Sequence, residues 1–189
     1  MHRAIILGLT SAHRNMERIL TLMRLQADTM QPGADGSALM LLQNAIGYMH
    51  NFPGVIHHPT EEVIFSRLIY RAPDSSELCQ RLLQQHQLFG DLESAMLRHV
   101  RHARQGDLLA HRQVKDSVAL YCREHYSHIH TEDTDFVPQA IKWLAVEDWQ
   151  QVNSEARSDL DPIFEGSALK TYDNLYDCLM AANQYLILH

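Results

Sequence analysis

The chain has few of the residues that cross-link or interrupt a fold. Among 189 residues there are 3 cysteines, 6 prolines, 8 glycines and 2 tryptophans. Cys79, Cys122 and Cys178 are odd in number, far apart and without C-x-x-C spacing. They argue against a disulfide framework and a thiolate zinc site, and fit a reducing cytoplasm. No apolar run approaches the eighteen or so residues of a membrane span. The apolar stretch at residues 4–9 is shorter than a signal-peptide core and runs into Ser11, His13 and Arg14, so the expected location is cytoplasmic. Positive charge is also scarce: the net charge of −7 argues against nucleic acid or an anionic membrane surface as the main partner. With 46% hydrophobic and 21% charged residues the chain is too apolar for disorder, and its length fits one domain over residues 1–189. What it has in excess is histidine, 13 against 5 phenylalanines.

Glycine and proline fall in groups, at residues 31–36, 51–54, 72–76 and 105–107. Between them lie four long segments, about 3–29, 37–71, 75–104 and 108–132, with apolar residues every three or four positions. That spacing predicts an all-α protein, an up-down-up-down four-helix bundle. Shorter pieces follow: a helical tail at about 139–145, a short helix from Glu147-Asp148-Trp149, a turn at 161–166 and a last helix at about 168–188. These C-terminal helices are expected to pack on the bundle. Each of the four long stripes carries histidine where leucine is expected: His13, His57, His86, and His125 with His128. Two also carry glutamate one turn later, Glu61 and Glu132.

On a helix, His57 with Glu61 and His128 with Glu132 share one face at i and i+4. One such pair alone is more often a surface pair, and a lone histidine in an apolar stripe is more often a hydrogen-bonded core residue. Six polar groups in one core are another matter, because burying them unpaired is very costly. Imidazole and carboxylate together suit iron, manganese or zinc, and a glutamate can bridge two ions. Four imidazoles and two carboxylates from four helices would build a two-metal centre.

The stretches His57-His58-Pro59-Thr60-Glu61-Glu62 and His128-Ile129-His130-Thr131-Glu132-Asp133 resemble the two signatures of the hemerythrin-like, HHE cation-binding domains. Ala12-His13-Arg14 and Gln85-His86 resemble the first- and third-helix ligand positions. Glu147-Asp148-Trp149 and Asp161-Pro162-Ile163-Phe164 resemble a tail found in bacterial members. The resemblance implies a non-haem di-iron centre, oxo- or hydroxo-bridged, with zinc or manganese as alternative metals. Its metal ligands would be His13, His57, Glu61, His86, His128 and Glu132, with Glu61 and Glu132 bridging. Oxygen carriers of the family place a further histidine one turn after the third-helix ligand, where this chain has Gly90, and usually an aspartate at the place of Glu132. With these six ligands and one solvent-derived oxygen bridge each iron is about five-coordinate and keeps an open position. That favours reaction with small oxidants over reversible oxygen storage.

Two histidines compete at the first signature, since His58 and Glu62 repeat the spacing of His57 and Glu61; the resemblance favours the latter pair. His125 is expected as a core histidine beside the ligands, and Tyr121 as a core tyrosine. His99, His102, His111 and His130 are expected in solvent. The leading functional expectation is a di-iron protein that binds or reacts with oxygen, peroxide or nitric oxide. Its roles would lie in sensing, stress response or repair of iron centres, with a homodimer among the expected assemblies. The alternative is a module that stores, donates or is merely folded by iron or zinc. A third reading is a metal-free bundle that docks on a partner.

Overall fold

The computed structural model describes residues 2–31, 36–156, 161, 163–164 and 172–187. Its helices are α1 (His2–Thr29), α2 (Gly36–Asn51), α3 (His58–Arg71), α4 (Ser76–Arg104), α5 (Leu108–Thr131), α6 (Val137–Trp143), α7 (Val146–Glu155) and α8 (Asp173–Ile187). Among the described residues there is no strand, and no helix is long and apolar enough to cross a membrane. The expected all-α bundle with added C-terminal helices is what the chain forms. The start of the last helix expected from residue 168, and most of the turn at 161–166, lie outside the described residues.

Four helical columns make the bundle. α1 packs against α2 and α5, and α4 packs against α2, α3 and α5. The turn into α5 shows how local chemistry sets the corners. Gly106 takes a left-handed φ of 90°, and the Asp107 side chain accepts from the backbone N–H groups of Leu109 and Ala110, satisfying donors that a helix start leaves free.

The second and fourth columns are not single α-helices. A π-helical turn, Pro53–His57, joins α2 to α3, and another, Glu132–Phe136, joins α5 to α6. The Pro53-Gly54 pair inside the second segment is therefore part of a widened turn through which the helix continues. Each π turn ends two residues before a proline, Pro59 or Pro138. A proline ring collides with the carbonyl four residues earlier, here Val55 and Thr134, both inside the widened turns. Widening the turn relieves that clash, and the N–H of His58 bonds to Pro53 O, that of Val137 to Glu132 O.

Two apolar clusters fill the interior. One holds Met16, Leu20, Met23, Leu42, Ile46, Met96, Val114 and Val118; the other holds Leu9, Ile64, Phe65, Leu68, Leu82, Phe136 and Trp149. Side chains such as Leu42 and Ile46, fully buried, contribute about 1.5–3 kcal/mol each relative to exposure. Along the columns the switch from one cluster to the other occurs in the neighbourhood of the polar residues: Leu9, His13, Met16 on α1, and Leu82, His86, Phe89 on α4. A polar layer lies between two oily ones.

Candidate metal centre

That layer contains His13, His57, Glu61, His86, His128 and Glu132, all buried, with Glu61 at 0% exposure. The structure brings all six together, and adds His58. Donor atoms of His13, His57, Glu61 and Glu132 lie within 4.8 Å of one another, and so do those of His58, Glu61, His86 and His128. The two groups share Glu61.

The carboxylates divide their oxygens between the two groups. Glu61 Oε1 is 3.0 Å from His57 Nε2 and 3.3 Å from His13 Nε2, while Oε2 is 3.7 Å from His86 Nε2. Glu132 Oε2 is 3.3 Å from His13 Nε2, while Oε1 is 3.2 Å from His128 Nε2. The imidazoles also confront each other, His13 Nε2 to His57 Nε2 at 3.1 Å and His86 Nε2 to His128 Nε2 at 3.2 Å.

The outer ring nitrogens are held from behind. His13 Nδ1 donates to Asp133 at 2.9 Å, His86 Nδ1 to Glu62 at 3.2 Å and His128 Nδ1 to Gln85 at 3.1 Å. A proton on Nδ1 leaves the Nε2 lone pair aimed inward, the tautomer a metal ligand needs. Inward lone pairs repel one another unless protons or cations lie between them. The inner carboxylates show the same want: Glu61 Oε2 and both oxygens of Glu132 are buried without a hydrogen-bond partner. Buried polar atoms are almost always bonded, so this donor set fits a pair of cations.

Without cations, protons answer the charge. Burial opposes charging His13, but Asp133, Glu132 and Glu61 overcome it and raise its pKa well above the usual value. His86 is likewise desolvated, yet its contacts with Glu132 and Glu62 push it up to about 9. Burial opposes ionisation of Glu132 too, and His128, His13 and His86 hold its carboxyl well below the usual range. Glu61 is lowered in the same way, with burial and the Glu132 charge opposed by His57 and His13.

The competition between His57 and His58 ends with both inside. His57 faces His13, whereas His58 stacks flat on His86, ring centroids 4.0 Å apart at 10°. Two stacked rings cannot both aim in-plane lone pairs at one point, so as it stands His58 covers His86, within ligand reach. Burial, then the neighbouring imidazoles beginning with His86, keep His58 neutral. Glu62 takes the outer role on His86 Nδ1. Sequence reasoning passed over Glu62, Asp133 and Gln85 in these supporting places, although each immediately adjoins a residue of the cluster or lies one position before one.

His125 belongs to neither group; it stacks on Phe89 with centroids 3.5 Å apart, and burial and His128 lower its pKa. The Tyr121 hydroxyl donates to Glu93 Oε1 at 2.7 Å, and His50 Nδ1 lies 3.0 Å from Glu93 Oε2. One expectation is corrected: His111 is buried, 4% exposed. It shares the inner face with Val114 and Val118 at helical spacing, so the stripe begins one turn earlier than read. His99 is half-buried, with Nδ1 3.2 Å from the Ser117 hydroxyl.

Searches of curated proteins and of solved structures returned no significant match. The family described as the hemerythrin HHE cation-binding domain matches residues 5–140, a span that contains the whole polar layer and nearly all of the four columns bearing it. The chain therefore belongs to the hemerythrin HHE cation-binding family.

Proposed function

We propose that this is a non-haem di-iron protein that binds or reacts with a small molecule (dioxygen, peroxide or nitric oxide) in sensing, stress response or repair of iron centres. The division of the Glu61 and Glu132 oxygens between two imidazole sets carries this reading. His13 and His57 would hold one cation, His86 and His128 the other, and the two carboxylates both. A pair of irons there would supply redox electrons and vacant coordination positions for a small ligand. Asp133, Glu62 and Gln85 fix the tautomers and ring directions of the imidazoles they touch. The flanking apolar clusters keep bulk water from the polar layer, which strengthens every charge interaction inside it.

The test is metal analysis with optical spectroscopy. Natively purified protein is expected to hold two irons per chain, and the reduced form to change its absorption on exposure to air or nitric oxide. Glu61→Leu and Glu132→Leu are expected to lose metal and melt lower than the loaded parent. If instead both variants melt higher, the buried carboxylates serve no cation, as a metal-free bundle would have it. Metal held with no optical response would leave storage or a structural role.

A further inference from the structure

A cleft of about 210 Å³ opens beside α1, with His57 among the residues that line it. Its inner walls are Leu9, Ala12, Phe52 and Ile56, and Ala4 and Gly8 form part of its rim. Ala156 and Asp161, from the chain beyond the family match, form another wall. Asp161 is fastened there, accepting from Asn15 at 3.1 Å, Tyr48 at 2.9 Å and the backbone N–H groups of Ile163 and Phe164.

We propose that this cleft is the access chamber through which a small uncharged molecule, dioxygen or nitric oxide, reaches the cation position held by His13 and His57. The inference rests on the di-iron reading above. His57, itself a member of that group, lines the cleft and is buried at 5% exposure. The opposite position is covered by His58, stacked on His86, so the two sides of the centre are unequal and the approach lies on the His57 side. The volume is below the usual range of about 300–1,000 Å³ for organic ligands, and the apolar inner walls penalise a charged visitor through lost hydration. An anion also meets the carboxylate of Asp161.

Small residues make the opening. A Cβ built on Gly8 meets nothing within 4 Å, so a larger side chain there enters free space. The same is true of Gly47 on α2, which does not line the cleft. The experiment measures the association rate of nitric oxide with reduced, iron-loaded parent, Gly8→Leu and Gly47→Leu proteins, with iron content and absorption spectrum recorded for each. Gly8→Leu is expected to slow association at least several-fold with two irons and an unchanged spectrum, while Gly47→Leu matches the parent. Ala4→Phe, on the same rim, gives the same slowing if Gly8→Leu folds poorly. Xenon-pressurised crystals of metal-free protein give a second readout, with xenon expected beside His57 in the parent and absent in Gly8→Leu. Equal rates in all proteins, or no xenon in the parent cleft, overturn the chamber. A parent that holds two irons and binds no nitric oxide overturns the small-molecule reading of the centre, leaving storage or a structural role, and the chamber falls with it.

Discussion

At the scale of single residues, protons and cations compete for the same lone pairs. His86 has its pKa raised to about 9 in the folded protein against about 6.5 for an unperturbed histidine. A raised value means that the folded state binds the proton more tightly than the unfolded state. In metal-free protein this contribution to stability is complete below about pH 6.5 and is lost as pH rises through the folded value. His13, raised in the same direction, adds to the trend. Apparent metal affinity should run the other way, rising with pH until those protons are gone. Melting temperatures of metal-free and loaded protein across this range check both signs; a metal-free form that gains stability from pH 7 to 9 would contradict them.

His58 is the residue whose place is least evident from its neighbours. Held neutral by burial, it can offer a lone pair without releasing a proton, and its ring shields His86. His58→Ala is expected to weaken the second metal by about 10–100-fold, the range for partners that support a ligand, and to leave the first bound. Titration with ferrous iron under anaerobic conditions would show two unequal steps in place of closely spaced ones. Unchanged affinities for both metals would reduce His58 to packing.

At the scale of elements, the two π turns decide the aim of the signature residues. Each widened turn adjoins one His-x-x-x-Glu pair, ending at His57 or starting at Glu132. A π turn carries more backbone per revolution than an α turn, so it resets the angular phase of all that follows. Pro59→Ala removes the ring clash that the widened turn relieves, so the second column should close into continuous α-helix with every residue kept. That rotates α3 against α2 by about 100° and swings His57 and Glu61 away from His13. Circular dichroism is expected to show undiminished helix, and metal analysis fewer than two cations per chain. Retention of both metals would mean that tertiary packing, and not Pro59, holds the turn.

At the scale of the whole molecule, a costly polar layer is held in register by oily layers on both sides and by the chain that follows the bundle. Asp161 is the fastening point of that following segment, through Asn15 on α1 and Tyr48 on α2. Asp161→Ala removes an acceptor buried at 1% exposure, at a cost of about 1–3 kcal/mol. It should lower the melting temperature while metal content stays at that of the parent. Loss of metal in this variant would show that the C-terminal segment sets the ligands, beyond bracing α1 and α2.

Helices and their inward faces were legible in the residues because both depend on short-range rules. A period near 3.6 survives inspection of any twenty-residue window, and Leu82, His86, Phe89, Glu93, Met96 and Val100 all point inward as that period requires. The six polar members of the layer were legible for the same reason, each interrupting an apolar stripe. Five features were not. The π turns arise from clashes four residues before Pro59 and Pro138, where spacing alone suggests a break. His111 looks like a surface residue until α4 and α1 close over the start of α5's inner face. Whether His57 or His58 turns inward is undecided along the helix, and with the columns assembled both do, one toward His13 and one onto His86. The split of the carboxylate oxygens joins residues from separate columns, His13 and Glu132 more than a hundred positions apart, and the cleft walled by Asp161 does the same. Sequence alone determined which side chains are too polar to be buried unaided; only assembly of the columns decided which atoms meet, because contact between distant segments is a property of packing and not of spacing.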